Sequence, residues 1–290
     1  KVVCQKKDGD LSKRAPPSDT IGEMGKVAGV QSTTGFEELE KLGIFVGAFL
    51  GEGATAQVYE CTLAADNASS GDRKLAIKIL NASRFVLSFD APTGAVTDPL
   101  DRSMLETLRG VVREATEALE VYDHARALDA VERFFWGFTD DYLELVKNRA
   151  YGNDGAEAAA SATTALRAAL DVLLRLFAPF LPYVTEEVWS WWREGSVHRQ
   201  AWPSEADVGG TGDPLVYGVA AEVLTAVRRE KALAKRSLRA PVRRAEVRGD
   251  EARLAALALA ERDLVGAGAI EALATAPGEP DVSVELAPED

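Results

Sequence analysis

Cysteine is scarce. Cys4 and Cys61 are the only two, far apart, and neither has a histidine or second cysteine at metal-ligand spacing. That pattern excludes a zinc site and a disulfide framework. Histidine is equally scarce: His124 and His198 stand alone, and His124 reads as a surface or helix-end residue. No metal site and no catalytic residue is therefore expected. No apolar run approaches the roughly 20 residues that span a bilayer, and the first residues lack the apolar core of a signal peptide. A cytoplasmic chain with no membrane partner is expected, in which the glycosylation patterns Asn67-Ala-Ser69 and Asn81-Ala-Ser83 go unused. Positive charge is in deficit. Lys and Arg number 33 against 46 Asp and Glu, a net charge of −13. Such a chain is no bulk polyanion binder, and no DNA partner is expected, but a local basic face remains possible.

The 290 residues suffice for two or three compact units. Composition changes near residue 73. Residues 1–35 are polar and rich in Gly, Pro, Ser and Thr, without a sustained period, and loose order is expected for much of them. Two short strands, Ile44–Leu50 and Gln57–Leu63, flank a glycine turn, which gives a candidate β-hairpin over 44–63. From Lys74 the pattern turns to amphipathic helices: about 74–89, one starting near Thr97-Asp-Pro99, then 123–150, 156–178, one from Thr185 through Trp189, and 214–237. Ala245–Val247 and Val282–Leu286 read as strands around an Ala/Leu-rich helix near 250–262. The expected fold is mainly α. A helical bundle occupies 74–203, residues 204–290 form a helix plus a small α/β unit, and 1–73 is a separate segment, poorly ordered or a short hairpin.

Residues 44–80 locally resemble the first strands of a protein kinase. Gly51-x-Gly53-x-x-Ala56-x-Val58 stands for the glycine-rich loop and Leu75-Ala-Ile-Lys78 for the strand lysine. Glycines there let backbone N–H groups approach phosphate. Gly51, Gly53 and Lys78 are thus the residues of an alternative nucleotide-binding reading. The rest of that machinery is missing. No glutamate lies between Lys78 and Glu106 to pair the lysine, and neither a His-Arg-Asp loop nor an Asp-Phe-Gly motif occurs.

A longer likeness starts at Lys74. It rests on Lys74-Leu-Ala-Ile-Lys-Ile-Leu-Asn-Ala-Ser-Arg-Phe85, Leu100-Asp-Arg-Ser-Met104, Phe135-Trp-Gly-Phe-Thr-Asp-Asp-Tyr-Leu-Glu-Leu-Val-Lys147, Leu176-Phe-Ala-Pro-Phe-Leu-Pro-Tyr-Val-Thr-Glu-Glu-Val-Trp189 and Ser196-Val-His-Arg-Gln-Ala-Trp-Pro203. In this order and spacing the segment resembles the C-terminal part of bacterial valyl-tRNA synthetases, with looser likeness to the isoleucyl and leucyl enzymes. The resemblance implies the helical anticodon-binding domain of a class I synthetase, with tRNA, most naturally valine tRNA, as partner. A monomer is expected. The His-Ile-Gly-His and Lys-Met-Ser-Lys-Ser signatures of the catalytic domain are absent, and Leu11–Arg14 matches only half of the second. ATP and magnesium would belong to that catalytic domain, so no cofactor is expected in this chain. Because 74–80 satisfies both templates, 1–73 and 74–290 read as two unrelated pieces joined there.

Proteins read unpaired bases by stacking them on aromatic or arginine planes, while cations hold the backbone. Lys78, Asn81, Arg84 and Phe85 lie within two turns of one helix and offer a cation, a bidentate amide and a ring. Phe85 is either that platform or a core ring, and Asn81 either a base contact or else a cap or a hydrogen bond between helices. Arg228, Arg229, Lys231, Lys235 and Arg236 begin a basic stretch that runs on through Arg239, Arg243, Arg244 and Arg248. It is either a phosphate-contacting face or a solvated one. Lys147 and Arg149 are further candidates. Trp136 and Trp189 read as core.

Overall fold

The computed structural model describes residues 2–6, 44–53, 56–63, 70–90, 94–209 and 211–288. The chain divides into two compact units, Lys1–Lys78 and Ile79–Asp290. In the first, β1 (Val2–Lys6), β2 (Ile44–Gly53) and β3 (Ala56–Leu63) form an antiparallel sheet in the order β1-β3-β2. The hairpin pairs Ile44 with Leu63 and Gly53 with Ala56, and its register shifts twice between Val46 and Gly51. β1 lies inside the stretch expected to be loose. Five residues carry no readable period, and only remote pairing with β3, Val2 opposite Cys61 and Lys6 opposite Gln57, makes them a strand. The rest of 1–35 lies outside the described residues.

Gly51 and Gly53 are ladder residues of β2. Lys78 is on a helix, α1 (Ser70–Leu87). The nucleotide-binding alternative requires its lysine on a strand, so α1 removes that reading. α1 also starts before the expected residue 74.

In the second unit, α2 (Pro99–Glu120) is started by Asp98, whose carboxylate accepts from Leu100 N at 3.0 Å, with proline in the first turn where no N–H is missed. Leu100, Met104, Leu108, Val112 and Ala115 recur at helical spacing and are all buried. The expected single helix over 123–150 is interrupted. α3 (His124–Gly137) passes through a π turn, Phe138–Tyr142, into α4 (Leu143–Ala150). The wider turn brings Phe138 and Tyr142 both fully inside, where their rings stack at 5.7 Å. α5 (Ala156–Phe177) follows. α6 (Pro182–Ser190) begins earlier than Thr185 because Pro182 fits the first turn. α7 (Pro214–Leu233) is capped by Asp213 and stops short of 237, and Lys235 turns left-handed at φ 55°.

The C-terminal part is a βαβ unit with a third, antiparallel strand. β4 (Val242–Gly249) runs through α8 (Glu251–Gly268) to β5 (Leu273–Pro277), which pairs parallel with β4, while β6 (Asp281–Leu286) pairs antiparallel on its other side. β5 was not expected as a strand. Leu-Ala-Thr-Ala-Pro has weak strand propensity and is held by its partner. α8 packs on α7 and α4, so the sheet is joined to the bundle through helices. Asp250 caps α8 by accepting from Arg253 N at 2.8 Å. Asp250→Ala is expected to cost about 1 kcal/mol and lower the melting midpoint by about 2–4 °C in a thermal scan. No helix among the described residues is long and apolar enough to cross a membrane.

Candidate nucleic-acid interface

The first group of candidates sits on the second half of α1. The helix alternates inward residues, with Ile79, Leu80, Ser83 and Val86 almost fully buried, against half-exposed Asn81, Arg84 and Phe85. The period that buries the aliphatic residues turns those three outward. Asn81 lies well inside α1, so it is not a cap, and its amide makes no hydrogen bond among the described residues. Phe85 meets the Phe89 ring edge-on at 5.1 Å and the Tyr151 ring at 6.2 Å; Phe89 and Tyr151 lie 5.3 Å apart. Arg84 rests its guanidinium 5.8 Å over Trp191. The Phe89 carbonyl accepts from Arg167 Nη2 at 2.7 Å, which fixes the chain just after the helix. Ser83 Oγ is buried without a hydrogen-bond partner.

Tyr151 escaped the sequence reading. It follows α4 directly and is 46% exposed. An aromatic at a helix end ahead of Gly152-Asn-Asp-Gly155 was the available signal, since such a ring cannot be covered by its own helix. The three rings form a corner in which Phe85 is neither core nor free. It is braced edge-on and keeps part of its surface open.

The second group spreads over α7 and the strand beyond. Arg229 and Lys235 are exposed, as is Arg239, and none makes an ion pair among the described residues. Arg228 donates to Asp141 Oδ1 at 2.9 Å, and burial pushes the Asp141 carboxyl up despite that cation. Arg236 is half-buried and donates to the Ala287 carbonyl. Arg243, Arg244 and Arg248 pair with Glu285 and Glu246 on the sheet surface. Lys147 pairs with Glu144 at 3.2 Å.

Two candidates are out of reach of any nucleic acid. Lys231 is 1% exposed, and its ammonium donates to the Leu238 and Gly268 carbonyls at 2.9 and 2.8 Å. It ties the loop after α7 to the end of α8, and burial draws its pKa below the usual lysine range. Arg149 is fully buried and spends its guanidinium on Asp101 and Asp263. Burial opposes that charge, but the hydrogen bonds and charge of Asp101, joined by Asp263, more than restore it. Both basic residues were expected to face solvent, because long cations rarely go inside without dedicated acceptors. Here the acceptors exist. Among the described residues no cluster of His, Cys, Asp or Glu is placed to hold a metal ion.

The model of the family described as the anticodon-binding domain of tRNA ligase matches residues 101–246, half of the chain. The chain belongs to this family. The anticodon-binding domain is also similar to valine–tRNA ligases from Salinispora arenicola (strain CNS-205), 48% identical over 241 residues, Thermobifida fusca (strain YX), 53% over 227, and Cutibacterium acnes (strain DSM 16379 / KPA171202), 48% over 205. Those alignments take in 75%, 74% and 69% of this chain but 28%, 25% and 24% of the relatives. The chain thus spans about a quarter of the length of the curated relatives it matches, and corresponds to their C-terminal part. The matched range runs from α2 into β4 and includes Tyr151, Arg229 and Lys235, while Phe85 lies ahead of it.

Proposed function

We propose that this chain binds tRNA, and that it reads the anticodon of a valine tRNA as the recognition part of a valine–tRNA ligase. One observation carries the reading: a braced ring cluster, Phe85 with Phe89 and Tyr151, stands one helical turn from the uncommitted amide of Asn81. Unpaired bases need a face to stack on and an amide or guanidinium to bond their edges, and this corner supplies both. Arg84, its guanidinium 5.8 Å over the Trp191 ring, offers a second plane. Exposed Arg229, Lys235 and Arg239 supply local positive charge on a chain whose net charge is −13. The residues described contribute binding and no bond-making chemistry. Joining valine to tRNA, the activity named for the relatives, is assigned to the parts of those ligases that this chain does not cover.

Filter binding of the chain to a valine tRNA transcript tests this. With about three phosphate contacts, the logarithm of the affinity should fall with a slope of about two against the logarithm of salt, and affinity should drop roughly 20-fold between about 50 and 200 mM. Equal binding to an unrelated RNA hairpin of the same length would contradict the reading.

A further inference from the structure

Arg149 does more than fill space. It sits on α4 with two edges of its guanidinium committed: Nη1 and Nη2 donate to Asp101 at 2.8 and 2.7 Å, and Nε donates to both oxygens of Asp263 at 2.8 and 2.9 Å. Asp101 belongs to α2 and Asp263 to α8. Asp101 also accepts from the Tyr142 hydroxyl at 2.8 Å and from Ser161 Oγ on α5 at 2.6 Å. Ser161 in turn accepts from the backbone N–H groups of Thr97 and Asp98 where α2 begins. Asp98 accepts from Arg262 of α8 at 2.6 Å. One buried cation therefore ties α4 to α2 and α8, and Asp101 joins α5 to them through Ser161.

That point is linked to both parts of the candidate interface, through the chain to Tyr151 and through α8 to the basic elements. Tyr151 is two residues beyond Arg149, and the turn that carries it is closed by Gly152 N donating to the Arg149 carbonyl at 2.8 Å. On the other side, α8 packs against α7, which carries Arg229, and against β4, which carries Arg243, Arg244 and Arg248. A guanidinium fork fixes both distance and angle, which a lysine point charge cannot do.

We propose that Arg149 is a positioning residue for RNA binding: through Asp101 and Asp263 it sets the Tyr151 end of the ring cluster and the basic C-terminal part in register with one another. The inference rests on the tRNA-binding reading. Arg149 itself touches no RNA.

The test compares Asp263→Asn and Arg149→Lys with the parent chain, well below their melting transitions, after circular dichroism has confirmed that each is folded. Affinity for a valine tRNA transcript is measured across salt, with the anticodon intact and with its middle base changed. Asp263→Asn keeps the side-chain shape and loosens only the α8 arm. It should lose roughly 3- to 10-fold in affinity, with a shallower salt slope and unchanged base discrimination. Arg149→Lys loses the fork on Asp101 and the Nε bond to Asp263, and should lose slope and discrimination together. A merely structural role would leave folded variants indistinguishable from the parent in all three readouts, and that result overturns the inference. If Arg149→Lys does not fold, the salt slope of Asp263→Asn decides. A parent chain that fails to bind overturns the tRNA reading and this inference with it; a parent that binds, matched by its variants, overturns this inference alone.

Discussion

Arg149→Met should lower the stability of the Ile79–Asp290 unit by about 3–5 kcal/mol, the cost of leaving buried charge without its partner. Methionine fills much of the same volume and bends to fit, so the loss is not a cavity effect. What remains is electrostatic. Asp101 keeps donors from Tyr142 and Ser161, but Asp263 is left with Arg262 Nε at 3.7 Å as its nearest cation. In the parent chain burial already raises the Asp263 carboxyl above the usual carboxylate range, against the pull of Arg149. Without Arg149 it rises further. A carboxyl whose folded pKa exceeds its unfolded value stabilises the fold at low pH and loses that contribution as pH rises through the folded pKa. The deficit of Arg149→Met should therefore be largest at neutral pH and shrink in mild acid. Thermal melts at both pH values check this, with a drop of about 6–20 °C expected at neutral pH. A loss under about 1 kcal/mol, or one that does not depend on pH, would mean the ion-pair cluster carries little of the fold.

Phe85→Ala should weaken binding of an intact anticodon loop by about 10- to 100-fold, the value of one stacked base. Phe85 is only half-buried, and Val86 and Leu80 hold α1 in place beside it, so the fold should survive. The salt slope should not move, because no cation has been removed. Tyr151→Ala should act in the same direction by unbracing Phe85, and Asn81→Ala should cut the preference between bases more than the affinity itself. Filter binding with loop variants separates these effects. Phe85→Ala binding as tightly as the parent would make the ring a packing residue.

Much of the bundle was legible because buried helices announce themselves by period. Met104, Leu108 and Ala115 lie on one stripe, and Asp98 or Asp213 before a proline marks a helix start. β1 and β5 were not legible. Each is too short to show a period and exists through pairing with β3 or β4, a partner remote in sequence. The π turn at Phe138–Tyr142 was hidden for a related reason: its sequence continues a helical pattern, and the wider turn answers to where Phe138 and Tyr142 can be buried. The candidate interface was partly legible. Asn81, Arg84 and Phe85 lie where helical spacing puts them. Lys147 and Arg149 were read as a pair, although two residues on a helix are turned about 200° apart, so only one could face solvent. Lys231 extends the stripe of Ala220, Val223, Leu224 and Val227, which gave a sign of its burial. Neither sign identifies the acceptors that make burial tolerable, because Asp101, Asp263, Leu238 and Gly268 come from elsewhere in the chain.

The most direct measurement is the ratio of affinities for a valine tRNA transcript with its anticodon intact and with the middle base changed, taken on the whole chain at one moderate salt concentration. Binding at least roughly tenfold tighter to the intact anticodon is the predicted result, about 1.4 kcal/mol of discrimination at the Asn81–Phe85–Tyr151 corner. Equal, salt-sensitive binding to both would contradict it and reduce the site to a basic patch.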